Sequence, residues 1–347
     1  MSVNPTMNDI AAASGVSQAT VSMVLNQRTQ GRVSPSTAER VMATAEELGY
    51  RTNTHAKALR EGRSRMIGFI GDEVATAPYA GQIIRGAQER AWQAEHVLLS
   101  VDTDGNSTLE QAAIDMMLGY RVVGIIYAAM YHRVVELPAA LDDVPVVCVN
   151  AQDAAHRAPS IFPDEVQGGR DAAKALLEAG HRRIGMINIA PETQHLPAAD
   201  GRLAGFREEL AAHGVPLDDT LIVHGAGDHS SGLRLGRSLM KRDDPPTAIF
   251  CGNDRTALGC YRAVAELGLH AADDVSIIGF DDQDILTDCF IPALSTFALP
   301  FEEMGRLAVE TLLTSPLPIG ERRAVPCPAV PRASIARLTT HPKENRR

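Results

Sequence analysis

Two groups of side chains in this sequence have the types and the spacing that molecular recognition needs. The first group lies just after Gly15 and consists of small and polar side chains with one methionine: Ser17, Gln18, Ala19, Thr20, Ser22, Met23 and Asn26. A helix with such a face can enter the major groove of DNA, where its polar groups meet base edges. Met23 has the alternative of local core packing, but Val21 and Leu25 already supply an inward stripe. We therefore expect Met23 to be exposed.

The second group is polar: Asp72, Asn150, Asn253 and Asp281 follow short apolar runs farther along the chain, and Arg202 lies at a helix start. Ligands of open α/β sheets bind beyond the carboxyl ends of the strands, where these residues would lie. Carboxylates, amides and a guanidinium form a typical hydroxyl-binding set for a sugar or similar polyol. Arg202 has the alternative of pairing with a carboxylate, and the adjacent Asp254 and Asp282 have the alternative of capping helices.

Three short helices are predicted to position the first group. Thr6 and Ser17 have the side chains of N-caps, and Gly15 can adopt the left-handed conformation that separates the first helix from the second, over 18–26. A third helix begins at Ser34 and ends at Gly49. The apolar residues expected to build a shared core are Ile10, Val16, Val21, Val41, Met42, Ala45 and Leu48.

From residue 66 onwards, short apolar runs alternate with helical patterns. The predicted strands are 66–70, 96–101, 122–127, 144–149, 183–189, 221–224, 248–251 and 275–280. The predicted helices between them are 81–94, 109–119, 168–179, 201–213, 231–241 and 255–267. This alternation favours parallel strands with helices on both faces. We therefore predict an α/β fold with two doubly wound parallel sheets of similar size, which form two lobes around a cleft.

The charge of the chain is distributed unevenly. A formal net charge of -10 argues by itself against a nucleic-acid partner, because binding requires cations that neutralise phosphates. Residues 1–65, however, carry eight Lys or Arg against five Asp or Glu, whereas the remainder carries 25 against 38. A basic head therefore precedes an acidic body, and the charge favours a DNA partner for the head alone.

Composition excludes several classes of protein. Hydrophobic residues make up 45% of the chain and charged residues 22%, values that exclude a disordered or fibrous chain. No run reaches 18 apolar residues, and the start MSVNPTMNDI has neither a basic nor an apolar segment. We therefore expect a cytoplasmic protein without a membrane partner.

Catalytic and metal-binding motifs are not found in the sequence. The scattered cysteines are expected to be buried free thiols: Cys148, Cys251, Cys260, Cys289 and Cys327. The eleven histidines form no zinc motif. No G-x-G-x-x-G, P-loop or G-x-S-x-G motif is present. We therefore predict no catalytic residues, no metal and no cofactor.

The head resembles the helix-turn-helix and hinge of the lactose-repressor (LacI) family of bacterial transcription regulators. The segments that carry the resemblance are TMNDIAAASGVSQATVSMVLN, VSPSTAERVMATAEELGY and NTHAKALREGRSRMIGFI. The order of G-V-S, T-V-S, V-L-N, E-L-G-Y and A-x-x-L within them is highly specific. In the body, HRRIGMI, GRLAGF, FCGNDRTALG, DDVSIIGFDD and PFEEMG stand in the family's order, to about residue 337.

The resemblance implies roles for the head residues by position. It implies that Gln18, Ala19 and Met23 read bases. The positions that it assigns to phosphate contact or support are Thr6, Ser17, Thr20, Ser22 and Asn26. It further implies that 52–65 folds into a hinge helix on DNA and that Leu59 wedges into the minor groove. Two departures matter: Met23 stands where many members have Arg, and Thr52 stands where many have Pro, which leaves the hinge less rigid.

For the body, the resemblance implies a two-lobed periplasmic-binding-protein-like core with three crossovers, near 160–164, 291–296 and 322–325. The predicted domains are a helix-turn-helix over 1–51, a hinge over 52–65, a core over 66–340 and a tail over 341–347. The first predicted lobe comprises 66–160 and 296–322, and the second comprises 164–290 and 325–340. By position, the effector contacts are Asp72, Asn150, Arg202, Asn253 and Asp281, with Tyr79 and Phe297 able to stack on a ring.

The function predicted from these features is that of a transcription regulator, in the first instance a repressor of sugar-utilisation genes. As a homodimer it would bind a pseudo-palindromic DNA operator, under the control of a small sugar-like effector in the cleft. One rival is a transporter's solute-binding protein, which would carry a signal peptide and no basic head. The other is a sugar-modifying enzyme with an appended DNA module. A purine or phosphorylated effector stays open, as does activation.

Overall fold

The computed structural model describes residues 5–338 except 27, 30, 51–63, 76, 78, 79, 217 and the side chain at 287. The chain divides into two compact units at the boundary between Ser64 and Arg65. The first unit is helical, and the second holds all the strands described below.

The first unit contains three helices: α1 Met7–Ser14, α2 Gln18–Leu25 and α3 Pro35–Glu47. Thr6 caps α1 reciprocally with Asp9, since each backbone N–H donates to the other's side chain. Gly15 closes α1 at φ 67°, in the left-handed region that glycine adopts without strain. Ser17 then caps α2 by accepting from Thr20 N at 3.1 Å. The predicted caps and turn are confirmed.

The three helices share a small apolar core. Its buried members are Ile10, Val21, Val24, Val41 and Ala45, with Val16 and Leu25 partly buried against them. Two core predictions are wrong, because Met42 is 53% exposed and Leu48 is 40% exposed. Val41 and Ala45 lie one helical turn apart and already cover the core, whereas Met42 is rotated away from that face.

The larger sheet of the second unit has six strands, all parallel, in the order β11-β5-β4-β3-β1-β2. Its strands are β1 Met66–Asp72, β2 Val97–Asp102, β3 Ile125–Val135, β4 Val146–Asp153, β5 Ser160–Pro163 and β11 Arg322–Val325. Three helices pack on it: α4 Gly81–Gln93, α5 Ser107–Gly119 and α10 Phe301–Leu313. We call this sheet with its helices the first lobe.

The second lobe is built on a parallel sheet of four strands in the order β7-β6-β8-β9. Its strands are β6 Ile184–Asn188, β7 Ile222–His224, β8 Ala248–Cys251 and β9 Ser276–Ile278. Its helices are α6 Glu165–Glu178, α7 Pro197–Ala212, α8 His229–Met240 and α9 Asp254–Glu266. The predicted fold class is confirmed, but the expectation of two sheets of similar size is wrong.

The chain passes between the lobes more than once. It leaves the first lobe between β5 and α6, and it returns before α10. Near the return, β10 Thr296–Phe297 pairs antiparallel with β12 Ala329–Val330, which follows β11. Leu299 lies at this passage and packs against the cores of both lobes.

Alternation along the strands explains why helices cover both faces of each sheet. Ile67 and Phe69 of β1 enter the core beneath α4 and α10, whereas Ile70 enters the core beneath α5. Because successive strand residues point to opposite faces, a strand buried on both sides reads as a continuous apolar run. The apolar runs over 66–70, 122–127 and 144–149 are therefore central strands of the larger sheet. The run over 96–101 is its edge strand β2 and is only partly buried.

The cysteines are all free thiols, and four of them are buried. Cys289 is exposed, so the prediction that all five are buried is wrong. It lies in a 3₁₀ turn, Asp284–Cys289, on the surface rather than in a strand or core helix. Within the described ranges, no helix is long and apolar enough to span a membrane.

Candidate functional site

The polar face predicted on α2 is accessible in the first unit. Gln18 and Ala19 are exposed, and so is Ser17. Thr20 and Ser22 are half-buried, in keeping with positions at the edge of the face. The helix presents an amide and small side chains, which can approach base edges closely.

Several of the residues predicted to contact DNA also hold the helices in place. The hydroxyl of Thr6 donates to Asp9 Oδ2 at 2.7 Å, and that of Ser17 lies 2.9 Å from Thr20 Oγ1. Asn26 follows the last turn of α2, and its amide donates to the carbonyl of Ser22 at 2.7 Å. These residues therefore fix the ends of α1 and α2 whether or not they meet phosphate.

Met23 departs from its prediction, because it is half-buried rather than exposed. Val21 and Val24, not Val21 and Leu25, are the fully inward residues of α2. This rotation leaves Met23 at the boundary between the core and the polar face. Leu59, Thr52 and Tyr79, together with the tail, lie outside the described residues.

The second group meets at a cavity between the two lobes. Four of its predicted members line this cavity: Asn150, Arg202, Asn253 and Asp281. The first lobe adds Met130, Tyr131 and His132, and the second adds Glu165. The cavity has a volume of about 20 Å³, room for about one water molecule. In this arrangement of the lobes the cavity has no room for a sugar-sized molecule.

Arg202 is the electrostatic centre of the cavity. Its Nε donates to Glu165 Oε2 at 2.7 Å, and its Nη1 lies 3.3 Å from Asp281 Oδ1 and donates to the carbonyl of Gly252. The guanidinium also stacks over the ring of Phe280, 3.8 Å from the centroid. Burial lowers the pKa of Arg202, but the two carboxylates outweigh it and the pKa is raised. Arg202 is therefore charged, and the alternative that it pairs with a carboxylate is confirmed, whereas its contact with an effector stays a prediction.

Helix packing brings Arg202 to Glu165. A Cβ on Gly169 of α6 would lie 2.1 Å from the carbonyl oxygen of Arg202, and one on Gly205 of α7 would lie 1.8 Å from that of Val166. Only glycine permits this backbone approach, which places the first residue of α6 beside the first turns of α7. Two glycines, Gly169 and Gly205, therefore position the ion pair between Arg202 and Glu165 by allowing the two helices to approach closely.

A bulge in β3 shapes the other wall of the cavity. β3 pairs with β4 up to Ala128 opposite Val149, and the pairing resumes only at Arg133 opposite Ala151. Asn150 bridges the interruption, since its amide donates to the carbonyls of Ala129 and Met130 at 2.9 and 2.8 Å. Asn150 has φ 54°, a left-handed conformation that asparagine tolerates better than most residues. The bulge turns residues 130–132 toward the cavity.

Asn253 and Asp281 also combine structural and recognition chemistry. Asn253 caps α9 by accepting from Thr256 N at 2.8 Å and donates to the carbonyl of Gly227 at 2.9 Å. Asp281 accepts from Gln283 Nε2 at 2.9 Å through its second oxygen. Burial raises the pKa of Asp281 to about 6, although Arg202 opposes the shift.

Two predicted effector residues do not lie at the cavity. Asp72 ends β1, accepts from Gly105 N at 2.7 Å and pairs closely with Arg133. Phe297 is 2% exposed and stacks on Phe280 with the centroids 5.7 Å apart, inside the core of the second lobe. Its ring is therefore unavailable for a ligand, and the stacking prediction for Phe297 is wrong.

Sequence reasoning missed Glu165 and His132 altogether. Glu165 follows Asp164, the N-cap of α6, and reads in the sequence as a helix-start carboxylate. His132 lies beyond the predicted end of the third strand, in the bulge that nothing in the apolar pattern indicates. Across the cleft, His132 Nδ1 is 3.6 Å from Glu165 Oε1, and both side chains are 4% exposed. In the part of the chain that the structure describes, no three His, Cys, Asp or Glu side chains are placed to hold a metal ion.

The fold and the two sites together define a class of protein, transcription regulators that join a helix-turn-helix head to a periplasmic-binding-protein-like core. Residues 6–53 match the family of bacterial regulatory proteins of the lacI type, and residues 173–335 match a periplasmic binding protein-like domain. The chain belongs to the LacI family of transcription regulators. Its similar relatives are transcription regulators and not enzymes.

Similarity to individual members extends over most of the chain. Catabolite control protein A of Priestia megaterium is 32% identical over 313 residues, 89% of this chain and 92% of the relative. The ribose operon repressor of Haemophilus influenzae is 32% identical over 313 residues, 89% of this chain and 91% of the relative. A crystal structure of the Lac repressor dimer bound to operator and the anti-inducer ONPF has 27% identity and a TM-score of 0.80, covering 96% of this chain and 100% of that one.

Proposed function

We propose that this regulator is a cytoplasmic repressor of sugar-utilisation genes that binds a pseudo-palindromic operator as a homodimer and responds to a sugar in its cleft. One observation carries the proposal. The same chain presents an exposed polar helix face and, separately, a buried cavity that gathers Asn150, Arg202, Asn253 and Asp281. The first can read DNA, and the second can bind hydroxyl groups.

For DNA, the exposed amide of Gln18 is the strongest candidate for a base contact, since a Gln side chain pairs bidentately with adenine. Ala19 is exposed beside it and suits apolar contact with a thymine methyl group. The N-cap hydroxyls of Thr6 and Ser17 lie at helix N-termini, where backbone N–H groups favour phosphate. Base contacts would determine which operator sequence is bound, and phosphate contacts at these caps would fix the position of the protein along the DNA.

A homodimer is proposed because two recognition helices related by a two-fold axis match the two halves of a pseudo-palindromic site. The similar Lac repressor structure is a dimer on operator DNA, which supports the same arrangement for this chain. A hinge over 52–65 with Leu59 as a minor-groove wedge stays part of the proposal.

For the effector, the closed cavity supports a switch between two arrangements of the lobes. A cavity of about 20 Å³ cannot hold a sugar, so binding requires the lobes to open and then close around the ligand. A ligand that favours one arrangement shifts the population, and coupling of about 1–3 kcal/mol changes operator affinity about 5- to 150-fold. The name of the similar ribose operon repressor supports a sugar as the effector.

The test is selection of bound sequences from a random duplex DNA library by the full-length protein. Recovery of a pseudo-palindrome with two half-sites supports an operator-binding dimer. Recovery of no enriched sequence, or of a single unpaired half-site, would contradict it. A reporter gene placed behind the recovered site then separates repression, expected here, from activation.

A further inference from the structure

A buried histidine and a buried carboxylate face each other across the cleft through two atoms, His132 Nδ1 and Glu165 Oε1, that the ion pairs of Arg202 do not use. His132 comes from the bulge of β3 in the first lobe, and Glu165 begins α6 in the second. The separation of 3.6 Å between Nδ1 and Oε1 is too long for a direct hydrogen bond. Among the described residues, Nδ1 of His132 has no hydrogen-bond partner although it is fully buried.

The side chain of Gln152 orients His132. Its amide lies 2.5 Å from Nε2, and an amide NH₂ only donates. With this amide donating to Nε2, the ring hydrogen is on Nδ1, the atom that faces Glu165. The ring cannot turn away freely, because it is stacked on Phe162 with the centroids 4.5 Å apart. A buried donor without a partner costs free energy, which a ligand can recover.

Glu165 is held equally firmly. Its Oε2 accepts from Arg202 at 2.7 Å, which leaves Oε1 facing His132 and the cavity. The cleft thus offers a donor from one lobe and a charged acceptor from the other, side by side. A vicinal diol presents the complementary pair, because one hydroxyl can donate while its neighbour accepts.

The charge of the site selects against anions. Among the cavity-lining residues that the structure describes, Glu165 and Asp281 are acidic, and Arg202 alone is a permanent cation. The guanidinium already pairs with both carboxylates and bonds to a backbone carbonyl. A phosphate or carboxylate on a ligand would meet like charge without a spare buried cation, and burial of an uncompensated charge is costly.

We propose that His132 and Glu165 together bind a vicinal diol of an uncharged sugar, one hydroxyl donating to the carboxylate and its neighbour accepting from Nδ1–H. This inference rests on the proposed sugar response and adds its chemical class. Because the two residues belong to different lobes, a diol held between them links ligand recognition to lobe closure. Sugar phosphates and other anionic effectors are excluded by the acidic lining of the cavity, Glu165 and Asp281, because Arg202 is already paired with both.

The first measurement is binding to the full-length wild-type protein by thermal shift and then by isothermal titration calorimetry. The probes are D-ribose, D-xylose, D-glucose and D-galactose, with their phosphate esters and their deoxy analogues as matched arms. We expect one neutral sugar to bind, with about a 10-fold or greater loss for the analogue that lacks one hydroxyl of the diol. Its phosphate ester should bind more weakly still.

The second measurement uses variants with the neutral sugar that binds. His132→Leu removes the donor and should weaken binding about 10-fold, whereas His132→Asn keeps an amide donor near Nδ1 and should restore most of it. Glu165→Gln should weaken binding at least as much as His132→Leu. The control is His181→Asn, which changes a buried histidine bonded to Thr247 and Ser276 and away from the cavity. It should lower the melting temperature but leave sugar affinity unchanged.

The outcomes separate the two proposals. If the sugar binds and His132→Leu binds it equally well, the diol clamp is wrong while the sugar response stands. Tighter binding of a phosphate ester than of its parent sugar also overturns the clamp. If no neutral sugar in the panel binds, the proposed sugar response fails and the clamp fails with it. Binding of the deoxy analogues is measured on the wild-type protein. The clamp can therefore be tested even if one of the variants does not fold.

Discussion

At the scale of single residues, burial changes the pKa of a carboxyl group in the second lobe, that of Asp254. Asp254 begins α9, is 2% exposed, and accepts from Gln283 N at 2.8 Å and from Thr296 Oγ1 at 2.7 Å. Burial, with the nearby charge of Asp281, raises the pKa of Asp254 to about 8. The folded protein therefore binds a proton at this carboxyl at pH values where an unfolded chain has released it.

The raised pKa gives the stability of the protein a definite pH dependence. With an ordinary value near 3.8 and a folded value of about 8, the contribution is full below pH 4 and is lost as pH rises through 8. Asp254→Asn keeps the shape without the titration, so it should lack the loss of roughly 4 kcal/mol that this carboxyl causes in the wild type between pH 5 and pH 8. Urea unfolding followed by circular dichroism at pH 5 and pH 8 checks this.

A matched control for Asp254 is the exposed Asp243. Asp243→Asn should leave the difference between the two pH values as it is in wild type. The same pH difference in Asp254→Asn as in wild type would show that this carboxyl is not what titrates.

The exposed side chain of Gln18 is free to contact a base, and such a contact would affect affinity for the operator but not for random DNA. Gln18→Ala should weaken binding to the selected operator by about 1–3 kcal/mol while leaving binding to random DNA nearly unchanged. Fluorescence anisotropy on both duplexes measures the ratio. Equal weakening on both would mean that Gln18 contacts phosphate only.

At the scale of elements, close helix pairs set the geometry of the core. Gly169 and Gly205 let α6 and α7 touch backbone to backbone, and the pairs α8–α9 and α4–α10 repeat the device with a glycine from each helix. A Cβ at any of these contacts would lie within about 2 Å of a carbonyl oxygen. Each helix pair therefore packs as one unit against its sheet.

Gly205→Ala should destabilise the protein by about 3 kcal/mol, because the helices must separate from the carbonyl of Val166. The same separation should weaken the contact between Arg202 and Glu165 and so lower sugar affinity. Gly119→Ala is the matched control, since a Cβ there meets nothing within 4 Å at the end of α5, and it should be neutral or slightly stabilising. Chemical unfolding of both variants makes the comparison; similar losses in both would contradict the close-packing argument.

The elements were also where sequence reasoning succeeded best. Helix caps such as Thr6 and Ser17 and the buried strands follow from local rules of hydrogen bonding and periodicity, and the structure confirms them. The bulge of β3 does not follow, because it depends on how β4 pairs with it and on the φ of Asn150. The stacking prediction for Phe297 was wrong for a related reason. The sequence pattern of an aromatic residue near a cleft does not distinguish stacking on a ligand from stacking on a core residue, here Phe280.

The residues of the candidate site also divide into those that local sequence patterns predict and those that depend on tertiary structure. Asn150, Arg202, Asn253 and Asp281 could be found because the apolar pattern predicts a strand end or a helix start at each of them. In the structure β4 continues past Asn150 to Asp153, and α7 begins before Arg202, at Pro197. The His132–Glu165 pair could not be found, because its two members are brought together only by closure of two lobes.

At the scale of the whole molecule, charge separates the head from the core. Residues 1–65 carry an excess of three basic side chains and the remainder an excess of 13 acidic ones, so only the head can favour phosphate. Binding to the selected operator should therefore fall at least about 100-fold between about 50 and 200 mM salt. Titrations across that range give the slope, and Gln18→Ala should keep it. A slope near zero would mean that phosphate neutralisation contributes little.

A sugar in the cleft is proposed to control the affinity of the head for its operator. The direct test is the dissociation constant of the full-length protein for its selected pseudo-palindromic duplex, measured with and without the neutral sugar that stabilises it. We expect a change of about 5- to 150-fold on the cognate duplex and none on random DNA. An unchanged dissociation constant at saturating sugar would contradict it.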